Sequence, residues 1–383
     1  MLLNENSDLQ VASIFQKGKE LGTVGVILKV QDEAPMHFSA DYNNYGSQVT
    51  STNRSGLRGD LGNFFFNGDT LSLIGAFGFP LESLRFVDGI YKVPINVRGS
   101  SMELSWLYSD FRVGELESLN LHGKTQVAAS KFTQALQRTT KLNTDIYTSF
   151  EYKQIKNFQQ HQVSAFDKLR VVSLGCTIDY MDSYGGRNVG NIIGFGGLPN
   201  FLGGLSPVDD LCSRKGAGGR FIYIDGNYQR IQKLPASCFL FLSFQGQLSF
   251  YKLPLSEEFY IGGINTVRGY PLAVSLGDTG FCTNIEFRVP PPFFKSKKLF
   301  RTKKTLQEVF QFVGFIDHGE SFEYGNSIND QSNRAFLTSI GLGVRIFGPL
   351  GFDCSMDVGF PLTDLQYSTQ KAIFYFRLNL KFM

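Results

Sequence analysis

From Met36 to the end, apolar and polar residues alternate in segments of about ten, separated by stretches rich in glycine, proline, asparagine and aspartate. Segment 278–289 has Phe281, Thr283, Ile285, Phe287 and Val289 on one side, and Cys282, Asn284, Glu286 and Arg288 on the other. Segment 371–382 sets Phe374, Phe376, Leu378, Leu380 and Phe382 against Tyr375, Arg377, Asn379 and Lys381. In 350–358, Leu350, Phe352, Cys354, Met356 and Val358 oppose Asp353, Ser355 and Asp357. Side chains on a strand point alternately to opposite faces, so each segment predicts a strand with one oily and one wet face. The pattern gives sixteen strands, among them 36–45, 52–62, 69–79, 97–109, 255–263, 306–317 and 333–347. Residues 1–35 stand apart: Val24, Val26, Leu28 and Val30 predict one strand, Leu9–Phe15 a partner, and Pro35 a boundary.

A soluble sandwich satisfies such alternation by hiding its oily faces in a core. A membrane barrel turns them outward and must close, because unpaired edge groups cannot face lipid. The barrel fits better. The wet faces carry Arg, Glu and Asp in mid-strand, the strands are even in number and of spanning length, and no helices are available to cover a sheet. An open sheet of sixteen strands would also be unusual. If the first strand rises from the inner side, the 63–68 turn and the 290–305 stretch lie on that side. The 264–277 loop then lies on the outer side.

Composition narrows the function. Charged residues make up 19% of the chain, below the roughly 25% usual for soluble proteins. The net charge of +3 is too small to argue for nucleic acid. No run of about twenty apolar residues is present, so no membrane-spanning helix is expected. MLLNENSDLQ has no basic segment followed by an apolar core, so no signal peptide is expected at this start. Cys176, Cys212, Cys238, Cys282 and Cys354 are scattered and odd in number. They suggest neither a metal site nor a structural disulfide. No nucleophile–base pair or nucleotide motif stands out, and neither an enzyme nor a cofactor is expected. Six Lys or Arg in 290–305 read as a solvated turn.

The stretch richest in candidate chemistry is Phe259–Pro271, FYIGGINTVRGYP. Gly262 and Gly263 end an aromatic run, and Gly269 follows the single charge, Arg268. Glycine accepts backbone angles that other residues resist, so the stretch reads as a loop that aims one arginine. An ordinary hairpin with a surface arginine is the plain alternative.

Taken with that stretch, the order of several motifs resembles the Omp85 superfamily, and within it the two-partner secretion transporters of the ShlB/FhaC/HecB type. The motifs are GTVGVILKVQDEAP, DYNNYGSQVTSTNRSGLRGDLGNFFFNGDTLSL, FYIGG with VRGY, EFRVP, FVGFIDHG, and GLGVRIFGPLGFDCSMDVGFPL. The resemblance covers nearly the whole chain. It implies an all-β fold: residues 1–35 as the end of a periplasmic POTRA domain, truncated here, and 36–383 as a sixteen-stranded antiparallel transmembrane β-barrel. It implies an integral outer-membrane protein that exports a secreted partner, a haemolysin- or adhesin-like protein, without nucleotide hydrolysis. A membrane-protein assembly factor of the BamA type and a passive pore are the competing readings. By resemblance, the loop motif Val267, Arg268, Gly269 and Tyr270 folds back into the lumen. Its partner there is the wall motif Phe315, Asp317 and Gly319, with Gly262 and Gly263 as the loop's hinge. Strand periodicity agrees: with Phe310, Phe312, Gly314 and Ile316 outward, Val313, Phe315 and Asp317 point in, and His318 points away from Asp317.

Overall fold

The computed structural model describes residues 8–18, 20, 22–114, 121–291, 305–325, 334–349, 351–364 and 370–382. The basic 290–305 stretch lies almost wholly outside the described residues. Two strands, β1 (Leu9–Lys17) and β2 (Val24–Asp32), form a separate antiparallel hairpin. The barrel wall starts with β3 (Met36–Asn43), β4 (Arg54–Gly62), β5 (Thr70–Gly78), β6 (Leu84–Pro94) and β7 (Ser100–Arg112). It continues through β8 (His122–Arg138), β9 (Leu142–Gln159), β10 (Gln162–Met181), β11 (Gly186–Gly197), β12 (Ile222–Lys233) and β13 (Phe239–Ser249). Two three-residue strands, β14 (Phe259–Ile261) and β15 (Ser275–Gly277), pair with each other inside the next loop. The wall then resumes with β16 (Thr279–Val289), β17 (Phe310–Phe322), β18 (Arg334–Phe347), β19 (Phe352–Pro361) and β20 (Ile373–Phe382). Every wall strand is antiparallel to its neighbours, and β20 closes on β3, which gives a barrel of sixteen strands among the described residues.

Closure satisfies every strand edge, as lipid requires. The joint between β20 and β3 runs from Arg377 opposite Asn43 to Phe382 opposite Phe38. Asn44 extends it: its side-chain amide donates to the Phe374 carbonyl at 2.9 Å and accepts the Phe376 N–H at 2.7 Å, in the manner of a further backbone pair.

Consecutive antiparallel strands sort the connections onto two rims. The turns 63–69, 95–99, 139–141, 182–185 and 234–238 lie on a short-turn rim, and the loops 44–53, 198–221 and 250–278 on a long-loop rim. In the first turn, the buried carboxylate of Asp69 accepts N–H groups from Phe64, Phe65 and Phe66 and the Tyr91 hydroxyl. One side chain thus holds three exposed phenylalanines in a tight turn.

Two strand assignments from sequence are corrected. Segment 84–94 is a wall strand that the alternation does not reveal. Its lumen-facing positions include Phe86 and Ile90, registered with Ala76 and Ser72, so its wet face is half apolar and the contrast between faces disappears. Segment 255–263 is not part of the wall. Only Phe259–Ile261 is extended there, paired with β15 inside the loop. The omission and the addition cancel, so the total of sixteen stands, and 264–277 and 63–68 still fall on opposite rims. Segment 306–317 begins one turn late as a strand. Leu306–Val309 is helical, with Thr305 and Glu308 forming a reciprocal cap.

The faces follow the alternation. Ile285, Phe287 and Phe374 are 41–51% exposed on the outside, while Cys282, Glu286 and Asp317 are buried inside. All five cysteines are free. No helix among the described residues is long and apolar enough to cross a membrane. Spin labels placed singly at Phe281, Ile285, Phe287, Phe374, Phe376 and Leu378 in reconstituted protein should be relaxed by oxygen, which partitions into lipid, and shielded from a water-soluble nickel chelate. Relaxation by the chelate across this set would contradict the outward assignment.

Candidate functional site in the barrel lumen

The site forms where the 250–278 loop leaves the rim and enters the barrel. At Gly262 and Gly263 the chain takes φ of +104° and +95° and turns inward. The tip is fixed by Thr266, whose hydroxyl donates to the Gly262 carbonyl at 2.9 Å. Its carbonyl in turn accepts the Asn284 amide of β16. Val267 is fully buried in an apolar cluster with Ile261, Cys282 and Leu337.

Arg268 is 3% exposed, so it is not a surface residue. Its Nε and Nη2 donate to Asp317 Oδ2 and Oδ1 at 2.7 and 2.8 Å, and its backbone N–H donates to Asp317 Oδ2 at 3.1 Å. The remaining nitrogen, Nη1, donates to Glu286 Oε1 at 2.6 Å. The guanidinium lies 3.5 Å from the centre of the Phe315 ring. Planar two-pronged pairing and stacking together suit arginine and not lysine.

Phe315, Asp317 and Gly319 alternate on the inner face of β17, so they form a column one pleat apart. Phe315 stacks under the guanidinium and Asp317 grips it. A Cβ on Gly319 would stand 2.9 Å from Val267 Cγ2, so any larger residue would push the loop out. Gly269 is held by a second close approach. It takes φ of +87°, and a Cβ on Gly359 of β19 would stand 2.5 Å from its nitrogen. Its N–H donates to Tyr375 Oη at 3.1 Å, and that hydroxyl donates to the Tyr270 carbonyl at 3.1 Å. Tyr270 Oη donates to the Thr338 carbonyl at 2.7 Å and accepts the Thr363 N–H at 2.9 Å. All nine residues singled out from sequence therefore lie in this assembly. His318 stands apart from it: its ring Nδ1 is 2.8 Å from Thr338 Oγ1.

The sequence did not reveal how many charges surround Arg268. Arg288 donates to Glu286 Oε2 at 2.9 and 2.7 Å, and Arg345 donates to Asp357 Oδ1 at 2.8 Å. Arg345 is also 3.7 Å from Glu286, and Arg268 is 4.0 Å from Asp357. Three guanidiniums thus balance three carboxylates. Glu286, Arg288, Asp357 and Tyr375 are legible as lumen-facing from alternation, but not as neighbours. That needs the register of five adjacent strands, β16 to β20, such as Glu286 opposite Phe315 and Gly343 opposite Asp357.

The root of the loop is anchored elsewhere. Glu257 accepts from Lys153 of β9 at 3.0 Å and from the Tyr223 hydroxyl of β12 at 3.0 Å. Around the ring β19 stands eight places from β9, halfway round. The loop therefore crosses the lumen, with its root at one side and its tip at the other. Beside the root, Glu258 pairs with Arg214 at 2.5 Å. Burial pushes its carboxyl from the ordinary 4.5 up to about 7; Arg214 and Lys252 work against that rise, and Asp278 and Glu323 add to it. No group of His, Cys, Asp and Glu among the described residues is arranged to hold a metal.

The sequence matches the family described as "Haemolysin secretion/activation protein ShlB/FhaC/HecB" over residues 22–346. A curated relative, the heme/hemopexin transporter protein HuxB of Haemophilus influenzae, is 22% identical over 383 residues, covering 97% of this chain and 63% of that protein. The chain thus spans less than two thirds of that relative's length. Among solved structures, CdiB from Escherichia coli superposes with a TM-score of 0.80 at 16% identity, over 100% of this chain and 69% of that one. BamA from Haemophilus ducreyi, lacking POTRA domains 1–3, gives 0.65 at 14% identity, over 97% and 75%. At these identities the superpositions establish the fold.

Two outcomes are expected. Removing one partner of a buried ion pair costs about 3–5 kcal/mol, less where water reaches the lumen. Arg268→Ala and Asp317→Ala should each open the loop tip, so that a cysteine at Thr266 becomes open to a bulky maleimide. The double variant should be no more reactive than either single one, because both remove the same contact. Additive reactivity would mean that the two side chains act separately. The second outcome concerns pH. A carboxyl raised by folding contributes stability that is complete below its unfolded value and is lost as pH rises through the folded one. The heat-modification temperature of the parent should therefore fall relative to Glu258→Gln between about pH 5 and about pH 8. Parallel profiles would rule out this assignment.

Proposed function

We propose that this chain, which belongs to the haemolysin secretion/activation protein family ShlB/FhaC/HecB, is the membrane-embedded part of an exporter that passes a secreted partner protein through the outer membrane. The observation that carries the reading is the loop held inside a closed barrel by a buried, fully paired arginine. A barrel that served only as a static wall would not need a rim loop anchored in its interior by a buried arginine paired with two wall carboxylates. The loop supplies a movable obstacle whose docked position is defined to one pose, because a desolvated guanidinium tolerates few alternatives.

In this reading the short-turn rim faces the periplasm and the long-loop rim faces outside. Residues 1–35, with the β1–β2 hairpin, are the end of a POTRA domain that receives the partner on the periplasmic side. The partner is a large haemolysin- or adhesin-like protein that enters unfolded, and its folding outside gives the transfer direction without nucleotide hydrolysis. The family match and the likeness of HuxB, a heme/hemopexin transporter, support export over the assembly-factor reading, while CdiB and BamA share the fold without deciding the activity.

Co-expression with a secreted partner tests this. Arg268→Ala and Asp317→Ala should each cut the amount of partner in the medium by more than tenfold, the factor that about 1.4 kcal/mol represents, while barrel abundance stays near the parental level. Deleting the whole gene should leave the levels of unrelated outer-membrane barrels unchanged. A fall in those barrels with no change in the secreted partner would favour an assembly factor instead.

A further inference from the structure

The wall is not of even height. β8, β9 and β10 have 17, 18 and 20 residues, against the roughly 9–11 that a tilted strand needs to cross a bilayer. Their ends toward the long loops therefore stand clear of the hydrocarbon. The outward face shows where they leave it. Nearer the short-turn rim it carries exposed Leu104, Phe132, Ile146 and Leu174. Above these, Trp106, Ala128, Tyr152 and Arg170 stand side by side on β7 to β10. Trp and Tyr collect where hydrocarbon meets headgroups, so this row marks the edge. Arg170 is engaged within the protein. Its guanidinium lies 3.4 Å from the centre of the Tyr152 ring, and the carbonyls of Leu202, Lys153 and Leu169 accept its N–H groups.

The polar side begins directly above. The next row is Tyr108, Gln126, Gln154 and Lys168, and the one after it is Asp110, Lys124, Lys156 and Phe166. The Lys156 and Lys168 ammonium groups each lie 4.6 Å from the centre of the Phe166 ring. Two like charges thus share one ring. Neither they nor Lys124 form an ion pair among the described residues. Asp110 stands between Lys124 and Arg85 in register, and Asp209 of the 198–221 loop is taken up by Ser206 and Leu211. The patch therefore keeps an excess of positive charge. Other outward cations, such as Arg230 and Arg334, have carboxylate partners.

We infer that Lys124, Lys156 and Lys168 hold the phosphate of a phosphorylated lipid in the outer leaflet. Depth agrees with this. At about 3.4 Å per residue on a strand tilted about 45°, two to four residues raise the lysines roughly 5–10 Å above the aromatic row. The headgroup layer reaches about 5–8 Å beyond the hydrocarbon, and a flexible four-carbon stem covers the difference. The lysines continue the apolar band below them, so one surface meets both acyl chains and headgroup. A soluble anion would use only the upper half of it. The inference stands apart from export and needs only the long-loop rim to face outside.

Native mass spectrometry of the full chain in detergent tests this, with bisphosphorylated lipid A as the probe. The parent should retain a single lipid A. Lys156→Gln and Lys168→Gln should each weaken retention about fivefold, the worth of one lysine at an anionic surface. Lys156→Arg should retain the lipid, and Lys29→Gln in the β1–β2 hairpin should match the parent. Excess sodium phosphate should leave the adduct in place. Heat-modified migration on gels confirms that each variant is folded. Equal retention by the glutamine variants, or equal retention of dephosphorylated lipid A by the parent, would leave only the apolar band as the contact and overturn the inference. Displacement by sodium phosphate would replace the lipid by a free anion and overturn it too. Gln160→Cys at the β9–β10 tip fixes the leaflet: on intact cells it should take up a membrane-impermeant maleimide beyond the parent's background. Labelling only after the cells are broken would place the lysines at the inner leaflet and contradict the assignment. Neither readout depends on a secreted partner, so the export reading stands or falls separately.

Discussion

A guanidinium taken out of water must find carboxylates in the right plane, and the interior of this barrel is arranged around that requirement. Isolated, a buried charge costs several kcal/mol; paired and fully hydrogen-bonded, it becomes a positional constraint. Arg268 meets Asp317 with two nitrogens and its own backbone N–H, meets Glu286 with a third nitrogen, and rests on Phe315. The loop length, the glycines at its hinge, the phase of β17 and the absence of side chains at Gly319 and Gly359 all follow from bringing that one group to that one place. Arg288 and Arg345 then neutralise the carboxylates that Arg268 alone would leave in excess.

The wall that bears this site answers to a different constraint. Lipid offers no partner to backbone N–H and C=O groups, so the sheet must close. Closure also makes the lumen a shared interior in which residues far apart in sequence become neighbours. Arg268 and Asp317 are 49 positions apart, and Tyr270 and Thr363 are 93. The same closure lets a single loop touch opposite walls, at Lys153 and at Gly359.

How much of this was legible depended on whether the two faces of a strand differ. Where they do, as in β16 and β20, alternation alone assigns lipid and lumen residue by residue. Where Phe86 and Ile90 place apolar groups inside, β6 vanishes from the pattern, although its geometry is ordinary. The FYI run of the loop has the opposite character: it reads as a strand because it is one, but its partner is β15 and not the wall. The nine site residues were legible through the resemblance to the ShlB/FhaC/HecB family; strand periodicity by itself turned only Phe315 and Asp317 of the nine into the lumen. The ring of Glu286, Arg288, Arg345, Asp357 and Tyr375 was not, because it joins the Glu286–Arg288 pair of β16 to residues of β18, β19 and β20, whose relative register no single stretch encodes.

The central claim is that the Arg268–Asp317 contact keeps the loop in a single docked position inside the barrel. It is tested most directly by a pulsed electron paramagnetic resonance distance in native membranes, between labels at Val274 on the loop and Ser109 on the far wall. The parent should give one narrow distance distribution, and Asp317→Ala should broaden it and move its centre. An unchanged narrow distribution in Asp317→Ala would contradict the account.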